Sequence, residues 1–188
     1  SNNLWNDKKV NENLIEEIKK AFTPFVFFNN QVLYDLIAVE AISTYVFNLF
    51  DAIPYIHLTG AKGSGKTTLI RILFSLSHNP ISTVSVTPAT IFRLIDKEQP
   101  TLFVDEVEDL EKRGTSNNQI IQVLNSGYKK GGVGHRVLKG VSKYSTYCPK
   151  VIAGINSLSP ALSDRCISVE MQKAPSSDKV SYLTKDDQ

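Results

Sequence analysis

Two cysteines, three histidines, one methionine and one tryptophan in 188 residues leave little material for redox or metal chemistry. Cys148 and Cys166 form no CxxC pair, and His57, His78 and His135 lie far apart in the chain. That spacing argues against a zinc site and against a disulfide framework. Long apolar runs are also missing. The most apolar stretch, 36–50, carries Glu40 and falls short of the roughly 20 residues that span a bilayer. No secretory apolar core opens the chain, and Ser1-Asn2-Asn3 reads as an expression scar or as a cut from a longer protein. A cytoplasmic protein with no membrane partner is expected. What is present is ordinary globular material, 41% apolar and 21% charged. A single domain of this length buries roughly 70% of its unfolded surface and needs no covalent staple.

One further absence is local. No acidic residue occurs between Glu111 and Asp164, whereas Lys112, Arg113, Lys129, Lys130, Arg136, Lys139, Lys143 and Lys150 all fall there. The chain's net charge is only +2, so the rest of it is acidic. A basic block in an acidic domain suggests a polyanionic partner, and the interleaved Tyr128, Tyr144 and Tyr147 offer rings for base stacking.

Along the chain, Val10, Leu14, Ile15, Ile18 and Phe22 recur at helical spacing until Pro24 ends the pattern. A second helix, capped by Asn30, is expected to run to about Phe50. These helices form a flank, 1–53, without recognisable chemistry. From Pro54 short apolar runs alternate with helical stretches, the signature of a parallel α/β sheet. Strands are expected at 55–59, 81–86, 101–104, 151–155 and 167–171, with helices at 66–77, 88–96 and 117–126. Thr87-Pro88 is a helix start, with the proline at the first helical position. Two short strands, 133–138 and 142–146, read as a hairpin around Lys139-Gly140, inserted ahead of the fourth core strand. The core is thus placed at 54–173, with a tail at 174–188.

The sharpest motif is Gly60-Ala61-Lys62-Gly63-Ser64-Gly65-Lys66-Thr67, which satisfies G-x-x-x-x-G-K-[ST] between an apolar strand and a helix. Glycines let the backbone curl so that successive N–H groups face one anion, and the following helix directs its positive end to the same place. Lys66 would reach the β- and γ-phosphates of a nucleotide such as ATP, the Thr67 hydroxyl would bind Mg²⁺, and Thr68 continues the lining. Chance produces the pattern in about one chain in a hundred of this length.

Thr101-Leu102-Phe103-Val104 is an apolar strand ending in Asp105 and Glu106. Two strands after a phosphate loop, Asp105 would hold Mg²⁺ through its water shell and Glu106 would polarise an attacking water. Glu108, Asp109 and Glu111 read as solvated loop acids. Asn156 closes the next core strand, where it could orient the same water or form a simple Asx turn. Arg165 precedes the last strand, either as a partner for Asp164 or as a finger aimed at a neighbouring subunit's γ-phosphate.

Together these residues resemble the AAA+ ATPases, a P-loop NTPase class, over about 55–171. The Walker A motif falls at 60–67, Walker B at 102–106, a sensor-1-like position at Asn156 and an arginine-finger-like one at Arg165. The hairpin is similar to the pre-sensor-1 insertion of minichromosome-maintenance and superfamily 3 helicases. The run 124–165 also resembles a helicase-like family carried by phages and mobile elements beside primase modules. The resemblance implies a five-stranded α/β core whose Walker A strand sits between the last strand and the sensor-1 strand. It implies a hairpin gripping nucleic acid, DNA ahead of RNA, through Lys129, Lys130, His135, Arg136, Lys139 and Lys143. It also implies a homo-oligomeric ring for the full-length protein, and a monomer with weak ATPase for this stretch on its own. Two features of the pattern are missing from the sequence: a helical lid after Met171, and a second helical insertion.

Three functions fit these motifs. The first is an ATP-driven nucleic acid motor or loader. The second is a nucleotide-controlled regulatory or remodelling switch whose hairpin contacts a protein. The third, a small-molecule kinase, is disfavoured by the Asp105-Glu106 pair, because a kinase needs no water-activating glutamate.

Overall fold

A computed structural model describes residues 8–85, 87–107, 114–137, 141–175 and 181. Five parallel strands form the central sheet: β1 (Tyr55–Thr59), β2 (Pro80–Ser82), β3 (Thr101–Val104), β6 (Lys150–Gly154) and β7 (Cys166–Glu170), in the spatial order β2-β3-β6-β1-β7. A separate antiparallel hairpin, β4 (Val133–Val137) with β5 (Val141–Ser145), pairs His135 with Lys143 across its strands. The expected strand order and hairpin are both observed. The strand expected at 81–86 is shorter, because Ser82 gives way to a turn in which Ser85 N–H donates to the Ser82 carbonyl at 3.0 Å.

Alternation along each strand sorts the core into two layers, as the two-residue period of a strand requires. Ile56, Leu58, Phe103, Val151, Ala153 and Val169 face one side and Tyr55, Leu102, Val104 and Ile152 the other. On the first side lie α1 (Lys8–Phe22), α2 (Val32–Val46) and α3 (Lys66–Leu76); Ile37 and Leu73 pack in the same cluster. On the second lie α4 (Pro88–Glu98), α5 (Gly114–Ser126) and a short α6 (Pro160–Ser163), which the sequence pattern did not suggest. Right-handed crossovers account for the split. From β1 the chain crosses to the far strand β2, whereas the connections β2–β3, β3–β6 and β6–β7 all step the other way. The N-terminal flank therefore belongs to the same hydrophobic core as the sheet.

Asn30 Oδ1 accepts from Val32 N–H at 3.0 Å just ahead of α2. The helix and the 3₁₀ turn that follows, Phe47–Leu49, make 18 residues that are long and apolar enough to cross a bilayer, of which 39% are buried within this fold. That exceeds the span judged from the run at 36–50, because the helix begins at Val32. Glu40 lies buried in α2 with Oε1 lacking a hydrogen-bond partner and Ser43 Oγ 3.5 Å from Oε2. Burial raises its carboxyl from the usual range to about 7.

A carboxyl whose folded pKa is raised contributes stability that is complete below its unfolded pKa and is lost as pH rises through the folded value. The thermal midpoint should therefore decline between about pH 4.5 and 7, by the equivalent of about 3 kcal/mol. Glu40→Gln should remove most of that decline and raise the midpoint at pH 8, a difference readable by calorimetry at pH 5 and pH 8.

Candidate functional site

The chain leaves β1 at Thr59 and enters α3 at Lys66, and the six residues between them are shaped by their glycines. Gly60 has φ +142°, and a Cβ there would overlap the Met171 carbonyl, so only glycine fits. Gly65 caps α3 in the left-handed region, φ +92°, and leaves the first N–H groups of the helix open. Ser64 is buried and its Oγ has no partner, an orphaned donor within a loop whose backbone already curls. Lys66 folds its ammonium back onto the carbonyls of Gly60 at 2.5 Å and Ala61 at 3.0 Å. Lys62, Gly63 and Thr67 are exposed, and Thr68 is half-buried. A loop too tight for a side chain at Gly60, an unpartnered buried hydroxyl and a cation at its mouth together fit a phosphate group.

The other acidic and polar candidates arrive at the same edge of the sheet. In the parallel register Thr59 stands opposite Gly154, and Val104 opposite Ile152. Asp105-Glu106, Ile155-Asn156 and the loop at Gly60 therefore emerge from three strands in the order β3-β6-β1, each about 4.8 Å from the next. Asp105 is half-buried and accepts from Glu106 N–H at 3.0 Å; that contact accompanies a left-handed Glu106, φ +53°. A non-glycine residue held there costs of order 1–3 kcal/mol. It leaves the Glu106 side chain exposed beyond the strand end. Asn156 is exposed at the bend between them. Among the described residues no group of three or more His, Cys, Asp or Glu side chains could cage a metal. Mg²⁺ is commonly held by one or two protein groups together with phosphates, and Thr67 and Asp105 are the candidates the sequence pattern names. Glu108, Asp109 and Glu111 lie outside the described residues.

Arg165 sits at the opposite edge. Its carbonyl accepts from Tyr55 N–H at 2.9 Å, at the start of β1, about 16 Å along that strand from the loop. Its guanidinium donates to the Ala161 carbonyl, and it makes no ion pair with Asp164. Arg165 therefore cannot serve its own chain's loop.

The basic block divides into unlike parts. Lys129 and Lys130 are exposed, while their backbone is fixed to the strand leading into β1: Lys129 bridges Ala52, and Lys130 N–H donates to the Asp51 carbonyl at 2.9 Å. Lys143 is exposed on the hairpin. The side chains of His135 and Arg136, and the whole of Lys139, Lys112 and Arg113, lie outside the described residues.

Lys150 corrects the expectation of a continuous basic surface. It is fully buried, donates to the carbonyls of Gly127, Thr146 and Cys148 at 2.9–3.2 Å, and lies 4.7 Å from the centre of the Tyr55 ring. All three ammonium donors are thereby used within the fold, and burial lowers its pKa. The tyrosines correct the expectation of stacking platforms. Tyr147 is buried with its hydroxyl on the carbonyls of Phe47 and Phe50, Tyr128 meets Tyr55 edge-on, and Tyr144 packs on Phe92. Tyr144 is drawn into packing because the hairpin is docked on α4. Gly134 lies against Phe92 so closely that a Cβ would not fit, and Ser145 N–H donates to Asp96 Oδ1 at 2.7 Å.

One functional candidate went unread in the sequence. The segment after β7 passes over the loop 60–65: Met171 N–H donates to the Thr59 carbonyl at 2.8 Å, and Lys173 follows beside Gly63. The signal lay in the strand order, since parallel pairing of β1 with the last strand sets 171–173 alongside 60–63. No protein-family model matches the chain, and a search of the curated proteins returns no significant match.

Proposed function

We propose that this chain is a nucleoside triphosphatase domain of the AAA+ P-loop kind, using ATP with Mg²⁺. The observation that carries the reading is the loop 60–65: glycine-shaped, opening α3, with the buried Ser64 hydroxyl unpartnered and Lys66 at its mouth. Backbone N–H groups from the loop and the first turn of α3 would bind the phosphate chain. Lys66 would leave its loop carbonyls for the β- and γ-phosphates. Mg²⁺, held by Thr67 and Asp105, would supply neutralising charge to the phosphates. Glu106 would take a proton from the attacking water, and Asn156 would orient that water from the bend between the two strands. Arg165, remote from its own loop, would act on a neighbouring chain's nucleotide, which supports a ring-forming protein.

The partner proposed is nucleic acid, with DNA ahead of RNA, gripped through its phosphates by Lys129, Lys130 and Lys143. The burial of Tyr147 and the packing of the half-buried Tyr128 and Tyr144 against the core reduce the part base stacking would play in that contact and favour, as a second reading, a switch whose hairpin meets a protein.

Lys66→Ala should abolish ATP binding in calorimetry. Glu106→Gln should leave ATP binding intact and slow hydrolysis at least ~10²-fold. Tight MgATP binding by the first variant, or full turnover by the second in an active full-length protein, would remove the assigned roles. Replacing Lys129, Lys130 and Lys143 together by Ala should flatten the salt dependence of single-strand binding by a slope of about 2, at roughly 0.7 per phosphate contact. An unchanged slope would favour the protein partner.

A further inference from the structure

We infer that Lys173 is a second same-chain lysine for the nucleotide's outer phosphates, a role that rests on the reading of 60–67 as a phosphate loop. The inference comes from space. Gly63 has no side chain, and the position its Cβ would occupy lies 3.3 Å from Lys173 Cε and 3.9 Å from Lys173 Nζ. The lysine therefore lies across the mid-loop glycine with its ammonium over the loop. Its backbone is delivered there by the sheet: Thr59 pairs with Glu170, Met171 continues the ladder to the Thr59 carbonyl, and Met171 is buried beneath Gly60 and Gly65. An exposed lysine on a rigid stem, two residues from a buried anchor, is held near the loop by position alone.

Lys62 is exposed within the loop itself, and Lys66 at the loop mouth rests its ammonium on the carbonyls of Gly60 and Ala61. Lys66 and Lys173 thus rim one loop from different elements, one from the helix that follows it and one from the strand beside it. A triphosphate carries more negative charge than one lysine and one divalent ion neutralise, so a second cation over the loop has a ligand to meet. A Cβ at position 63 would press on Lys173, which would have to give by a few tenths of an ångström.

The test compares wild type, Lys173→Met and Lys173→Arg for binding of ATP and of AMP, with thermal unfolding run in parallel. One charge-assisted contact corresponds to roughly a tenfold or greater change in affinity. Lys173→Met should weaken ATP about tenfold or more, leave AMP within twofold, and keep the wild-type melting temperature; Lys173→Arg should recover most of the loss. Unchanged ATP affinity in Lys173→Met would overturn the assignment. Equal weakening of ATP and AMP, or failure of arginine to recover the loss, would identify a packing role and also overturn it. If wild type binds no ATP, the phosphate-loop reading itself fails. If wild type binds ATP and Lys66→Ala does not, while Lys173→Met matches wild type, only the role of Lys173 fails.

Discussion

Parallel pairing of β1 between β6 and β7 is the constraint on which the rest of the molecule depends. Parallel strands deliver every outgoing connection to one edge of a sheet and every incoming one to the other. Here the register brings Gly60, Asp105, Asn156 and the segment beginning at Met171 to the carboxyl edge. The same pairing sends Arg165, Lys129 and Lys130 to the amino edge. Around β1 the connections diverge, α3 leaving over one face and the link from β6 to β7 passing over the other. That point of divergence at the carboxyl edge is where ligands of open α/β sheets bind.

The second edge has an organisation of its own. Lys150 opens β6 and gathers the end of α5, the exit of the hairpin and the Tyr55 ring around one ammonium. Tyr55 adds a hydrogen bond from its hydroxyl to the Leu124 carbonyl at 2.9 Å. Removing such a cation would strand three buried carbonyls, each worth roughly 1–3 kcal/mol. The hairpin is thereby a fixed extension of the core at its base, lying against α4 from Asp96 back towards Phe92.

Much of this was legible in the sequence because local patterns carried it. Strand β1, the loop, α3 and strand β3 stand within a residue of where apolar periodicity and the glycines put them, since each is specified by its own residues. The pieces misread depended on tertiary partners. Lys150 counts as surface charge in any linear tally, and only the carbonyls converging from three segments make its burial tolerable. Tyr128, Tyr144 and Tyr147 interleave with lysines in the chain as a stacking surface would, but they pack instead on Tyr55, on Phe92 of α4 and on the 3₁₀ turn. Lys173 has no motif around it, and its significance comes from the strand beside it.

Backbone amides test the central claim most directly, because the loop would hold phosphates with its own N–H groups. In a ¹⁵N-labelled sample titrated with MgATP, the account predicts that the largest shifts fall on Gly63, Gly65, Lys66 and Thr67, with saturation, and that inorganic triphosphate reproduces most of them. Loop amides that stay in place up to millimolar MgATP, or shifts concentrated at the amino edge near Lys129 and Arg165, would contradict it.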